Sequence, residues 1–338
     1  MLDRDAAPHD DRPRGALLLG ALLVGVALVL RLYGNRHGLP WMEEPDAEHV
    51  GLARALARGT VGPEKLLELQ RYPHLLTLVV WGLMETFDGA SGVWLGRIVS
   101  AVLGAATVVY VFRLGALLRG AAAGLVAAAF ATFSFLGVQH AHLVKPHVAV
   151  AFFLTAATFH ATRAVAGGAR RDVVVAGAFG LLAAATLHTG FLVAVPIVVA
   201  AALARTGWSP LVMAGLLVLL ALPLAYPGLL IAGFEVATGA ADSTALLGSH
   251  ASVMVESLGL AGLRRVPISL LENEPIPVLL ATLAVIVGLA RRSRWLRLAL
   301  PGLVLFVVAA LLFGRIRSYA PRMLLPVLPP LFALAGVA

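Results

Sequence analysis

Long apolar runs separated by short polar breaks dominate the chain, and several are too uniformly apolar to be one face of a helix in a water-soluble core. The first, 15–33, is long enough to cross a bilayer, and no small-x-small cleavage pattern ends it, so it reads as an anchor that is kept. Further spans are expected near 93–112, 121–138, 148–162, 173–187, 191–204, 211–231, 276–290, 298–313 and 323–338, making about ten with the first. Residues 75–87 are apolar but short, and read as a juxtamembrane or re-entrant helix. Residues 1–14 read as a disordered cytoplasmic lead, and 15–338 as one transmembrane domain. The expected fold is an all-α polytopic membrane protein with juxtamembrane helices on its outer face.

Composition agrees. Sixty per cent of the residues are hydrophobic and only 13% are charged, with a mean hydropathy of +0.91, and a soluble chain of 338 residues could not cover that much apolar surface. The formal net charge of +8 is spread among the apolar segments and not gathered into a stripe, which points to lipid headgroups or phosphates and away from nucleic acid. The absence of cysteine excludes disulfides and thiolate metal sites.

Short loops set the orientation. Arg113, Arg119, Arg163, Arg170, Arg171, Arg205, Arg291, Arg292, Arg294 and Arg297 share one side if the N-terminus is cytoplasmic. Both termini are then cytoplasmic, and the outer loops are 35–92, 139–147, 232–275 and 314–322. Basic residues also stand on the outer side, Arg71, Lys145 and Arg322 among them, and binding an anionic headgroup would explain them.

Three outer stretches carry candidate chemistry. Glu43, Glu44, Asp46 and Glu48 crowd into six positions of an acid-poor chain. Pro45 suits the first turn of a helix and acids favour its N-terminus, while Val50, Ala53 and Ala57 recur at helical spacing, so a short amphipathic helix on the membrane surface follows. A well-capped helix after a solvated loop would look the same. The second stretch holds His140, His142, Lys145 and His147. Its imidazole spacing could hold zinc, but no further ligand is evident and no metal is assigned. The third holds Arg315, Arg317 and Arg322, read either as guanidiniums snorkelling to headgroups or as a clamp on a lipid phosphate.

Taken in order, the apolar anchor, the outer helix from Pro45 and Asp46 to Gly59, the Tyr72–Pro73 pair, the run from Val138 to His142, and the closing Arg322, Pro326 and Pro329 resemble the GT-C superfamily. More closely they resemble its family 39-like membrane glycosyltransferases, the protein mannosyltransferase- and aminoarabinose transferase-like enzymes. The resemblance covers most of the chain. It implies a GT-C-like bundle of about ten transmembrane helices, with a sugar passed from a polyprenyl-phosphate donor to an acceptor on the outer face of a bacterial cytoplasmic membrane. Asp46 matches the family's first-loop aspartate, the general base toward the acceptor hydroxyl. Lys145, Arg71 and Arg322 are the candidates to neutralise the leaving lipid phosphate, and Glu44, Glu48, His140, His142 and His147 to line the substrate site. No cofactor is implied; a divalent metal is compatible with such chemistry but no motif indicates one.

Two positions depart from the family. His147 stands where an acidic residue is common in the second outer loop, and Leu187-His188 stands where many members carry a lysine. Those changes keep open a non-catalytic GT-C-like subunit that binds lipid phosphates. A lipid or solute transporter is a third reading, weakened by the absence of an internal repeat. The chain stops inside an apolar run at Ala338, which suggests a compact member or a truncated frame.

Overall fold

The structure, a computed structural model, describes residues 14–37, 47–60, 73, 75–87, 91–167, 169–225, 264–314 and 321–338, and those residues are helical or lie in short turns between helices. The anchor is α1, Arg14–Leu32, and the outer helix is α2, Ala47–Ala57. The short apolar segment forms α3, Leu75–Thr86. Next come α4, Gly92–Arg119, α5, Ala121–Phe133, and α6, Phe135–Ala141. They lead into α7, Pro146–Gly167, and α8, Arg170–Thr186. A 3-10 turn, His188–Val193, precedes α9, Ala194–Ala204, and α10, Trp208–Leu219, runs on into α11, Ala221–Ala225. After residue 263 lie α12, Arg265–Asn273, α13, Pro275–Ala290, and α14, Trp295–Phe313. A second 3-10 turn, Pro321–Val327, and α15, Leu328–Ala335, complete the described chain.

Among the described residues five helices are long and apolar enough to cross a membrane, or up to seven if each of two bent pairs is one span. The expected ten is not confirmed among the described residues. The segments expected at 173–187 and 191–204 are helical, but α8 and α9 fall short of a full crossing, and the end of 211–231 lies outside the described residues. The disordered reading of 1–14 likewise falls outside, apart from Arg14, which opens α1.

Helix α4 is longer than its apolar run. Arg113 and Arg119 stay helical because Leu114 and Leu118 remain buried between them, and the chain reverses only at Gly120, whose φ of 88° is open to glycine at no steric cost. Helix α5 then packs back along α4 through an alanine face, Ala123, Ala127 and Ala131. Small residues let helix backbones approach closely where lipid gives no hydrophobic drive to associate. The main core joins α4, α5, α7, α8, α14 and α15 through Val108, Leu154, Leu305 and Phe313 among others. Large apolar residues line the outside in rows one turn apart, Val212, Leu216 and Leu220 on one helix and Leu279, Leu283 and Ile286 on another. Those rows face lipid, and the protein is an integral membrane protein with a helical polytopic fold.

Candidate functional site

Helix polarity gathers the candidate residues at one end of the bundle. The end of α1, the start of α4, the end of α6 and the start of α7 all lie there, because consecutive helices run in opposite directions. Arg97 donates to the Asn35 and His37 carbonyls at 3.2 and 2.9 Å, and the Arg36 guanidinium lies 5.1 Å from the centre of the Trp94 ring. The turn leaving α1 toward the acidic stretch is thereby fixed to α4. His142 adds a second tie, its Nε2 2.8 Å from the Tyr33 carbonyl oxygen and its Nδ1 2.9 Å from that of Val138.

Helix α2 is seated by a small separate core. Val50 and Ala53 pack with Leu76 and Val80 of α3, Val93 of α4, and Val144. Val144 belongs to the histidine loop, so the outer helix and that loop share one hydrophobic contact. Glu48 lies in the first turn of α2; Glu44, Asp46 and Arg71 lie outside the described residues.

His140, in the last turn of α6, bonds back to the Leu136 carbonyl at 3.1 Å and is within electrostatic reach of Arg322. Arg322 is exposed at the start of the second 3-10 turn, which packs on α6 and α7. Lys145 is half-buried just before α7, and His147 is buried in its first turn. The structure therefore brings His140, His142, Lys145, His147, Arg322 and the start of α2 to one end. Among the described residues no three histidine, aspartate or glutamate side chains converge as metal ligands, and the bonds of His140 and His142 point those rings at carbonyls.

The sequence reading missed a polar network beneath this end. The span expected at 121–138 is broken at Ser134, where α5 and α6 meet at 50°. In an unbroken helix the N–H groups of Phe135 and Leu136 would bond the Ala131 and Thr132 carbonyls. Instead Arg31, 2% exposed, donates to those carbonyls at 2.9 and 3.2 Å. Glu274 accepts from the Leu136 N–H at 3.3 Å and from Ser134 Oγ at 2.6 Å, and also bonds the Phe135 N–H. A cation takes the freed acceptors and a carboxyl the freed donors. Gly104 makes the room, since a Cβ there would lie 2.9 Å from Arg31 Nε. A cavity of about 40 Å³ lies against Arg31, Thr107 and Ser134. That is space for water beside the buried, unpaired Nε of Arg31. A lone arginine in an apolar span was the available signal; its partners, about a hundred residues away, gave none.

Glu274 stands where α12 and α13 turn through 117°, and from that bend its carboxyl reaches the break between α5 and α6.

The fold is that of the GT-C membrane proteins. The family described as dolichyl-phosphate-mannose-protein mannosyltransferase matches residues 72–231. The structure is similar to ArnT from Cupriavidus metallidurans bound to undecaprenyl phosphate, with a TM-score of 0.63 and 19% identity over 96% of this chain and 60% of that one. ArnT in the apo state gives a TM-score of 0.66 at 18% identity, again over 96% and 60% of the two chains. The Archaeoglobus fulgidus oligosaccharyltransferase AglB, in complex with an inhibitory peptide and a dolichol-phosphate, gives 0.57 at 12% identity over 95% of this chain and 50% of that one. The chain thus spans about three fifths of the ArnT length and half that of AglB. No curated protein matches it in sequence.

Proposed function

We propose that the protein is a membrane glycosyltransferase that moves a sugar from a polyprenyl-phosphate donor to an acceptor on the outer face of the membrane. The observation that carries this reading is the seating of α2 against Val144, which sets the helix that follows Asp46 beside the loop of His140 and Lys145, with Arg322 next to it. Asp46 takes the proton of the acceptor hydroxyl as its oxygen attacks the anomeric carbon. The bond from that carbon to the lipid phosphate breaks, and Lys145, Arg71 and Arg322 neutralise the phosphate that leaves. Glu44, Glu48, His140, His142 and His147 line the sugar and acceptor positions. Lipid phosphates bound to ArnT and AglB support the donor class.

Both termini are proposed to be cytoplasmic, on the strength of the arginine-rich short loops. One assay tests both points. The purified protein is reconstituted in sealed vesicles with its orientation fixed and offered radiolabelled polyprenyl-phosphate sugars with acceptor extracts on either side. Label is expected in the acceptor fraction only when acceptor faces the His140 side. Transfer from the opposite side would overturn the orientation. Folded protein that consumes no donor of the panel would favour the non-catalytic subunit that binds lipid phosphates.

A further inference from the structure

At the end of the bundle opposite His140, an arginine-and-aromatic slot opens between α4, α7 and α8. The Arg113 guanidinium lies 4.8 Å from the centre of the Phe159 ring and 6.0 Å from that of Tyr110. Arg163 lies 5.8 Å from the same Phe159 ring, so one aromatic side chain gathers two cations. The ion pairing here involves Arg163 and not Arg113: the Asp172 carboxylate lies 3.6 Å from Arg163 Nε and accepts from His160 Nδ1 at 2.9 Å. Asp172 is itself 3% exposed, closed off beneath the two side chains it binds. Arg113 lies against the two rings and within electrostatic reach of His160, and among the described residues it makes no hydrogen bond or ion pair, so its N–H donors remain for another acceptor.

The slot changes character with depth. Arg163 stands four residues and Arg113 six residues before the ends of α7 and α4, about 6 and 9 Å along the helix axes, where long cationic side chains reach a headgroup layer. Exposed Arg170 and Arg171 flank them at the start of α8. Further in, Tyr110 meets Phe179 at 5.9 Å and Phe152 at 5.8 Å, edge to face, and all three rings stay partly exposed. Cations at the rim and rings below match, in order, a molecule with a phosphate head and an acyl tail. A free anion would use only the rim, and a neutral lipid only the rings.

We propose that this slot is a binding site for an anionic phospholipid, its phosphate held by Arg113 and Arg163 and one acyl chain lying along Tyr110, Phe152 and Phe179. Guanidinium forks suit phosphate oxygens, and stacking on Phe159 fixes Arg113 in advance. The site lies at the far end of the bundle from the proposed transfer chemistry and does not depend on it.

The test uses the full chain purified in detergent and a phosphatidylglycerol carrying a photoreactive group on one acyl chain. Adducts are expected on the peptides of residues 152–179, competed by unlabelled phosphatidylglycerol but not by phosphatidylcholine or inorganic phosphate. At roughly fivefold in affinity for each arginine near a headgroup, the double variant Arg113→Gln with Arg163→Gln is expected to lose the preference for phosphatidylglycerol almost entirely. Equal competition by the two lipids, competition by inorganic phosphate alone, or adducts confined to other helices would overturn the proposal. These three outcomes are read on the unaltered protein, so they stand even if the double variant does not fold.

Discussion

Asp46→Asn is expected to lower sugar transfer by about 10²–10⁴-fold while the protein still folds and still binds lipid phosphate, because the amide keeps size and hydrogen bonding but cannot take a proton. Of the four clustered acids, Asp46 has a short side chain directly after Pro45, and the helix begins at the next residue, Ala47. Its backbone is therefore joined to a helix that Val50 and Ala53 anchor against Val144. Glu43, Glu44 and Glu48 carry longer side chains, and Glu48→Gln is expected to cost far less. The comparison is made by initial transfer rates at saturating donor, with melting temperatures as the control for folding. Transfer by Asp46→Asn at the parent rate would remove the general-base role.

The outer helix was legible because its signals are local: a proline, acids at the start and apolar residues one turn apart. Most spans were legible because an apolar run in this composition has no other stable place. What was not legible depends on contacts between distant segments. The break at Ser134 interrupts an apolar run, Phe133-Ser134-Phe135, that reads as continuous. The continuation of α4 past Arg113 is hidden by a charge that looks like a loop, although the helix goes on to Arg119. Val144 looks like an ordinary loop residue until its partners from α2, α3 and α4 are seen around it. In the candidate site, His140 and Arg322 could be named from sequence, but their proximity rests on the packing of the second 3-10 turn against α6.

Arg31→Met is expected to be the most destabilising single change at this end of the bundle, by roughly 3 kcal/mol or more. Methionine fills much of the same space, so the comparison isolates the donors. Three carbonyls lose a bond at once, Ala27 at 3.1 Å, Ala131 at 2.9 Å and Thr132 at 3.2 Å. Ala27 keeps its place within an intact helix, but Ala131 and Thr132 do not have that recourse. Their natural partners, the N–H groups of Phe135 and Leu136, are held by Glu274 on the other side of the break. In a membrane, backbone that leaves the helix must find partners inside the protein. Two responses are open to the variant. The span can stay broken with two bare carbonyls, or it can straighten, strand Glu274 and carry α6 away from the second 3-10 turn, separating His140 from Arg322. Either lowers the melting temperature in detergent, and the second also exposes a cysteine placed at position 140 to thiol reagents at a changed rate. Replacing a buried charge by an apolar side chain can be neutral where the charge only balances another charge. Arg31 balances backbone, so an unchanged melting temperature in Arg31→Met would mean that water in the adjoining cavity already satisfies these carbonyls, and the arginine would not be what holds the break open.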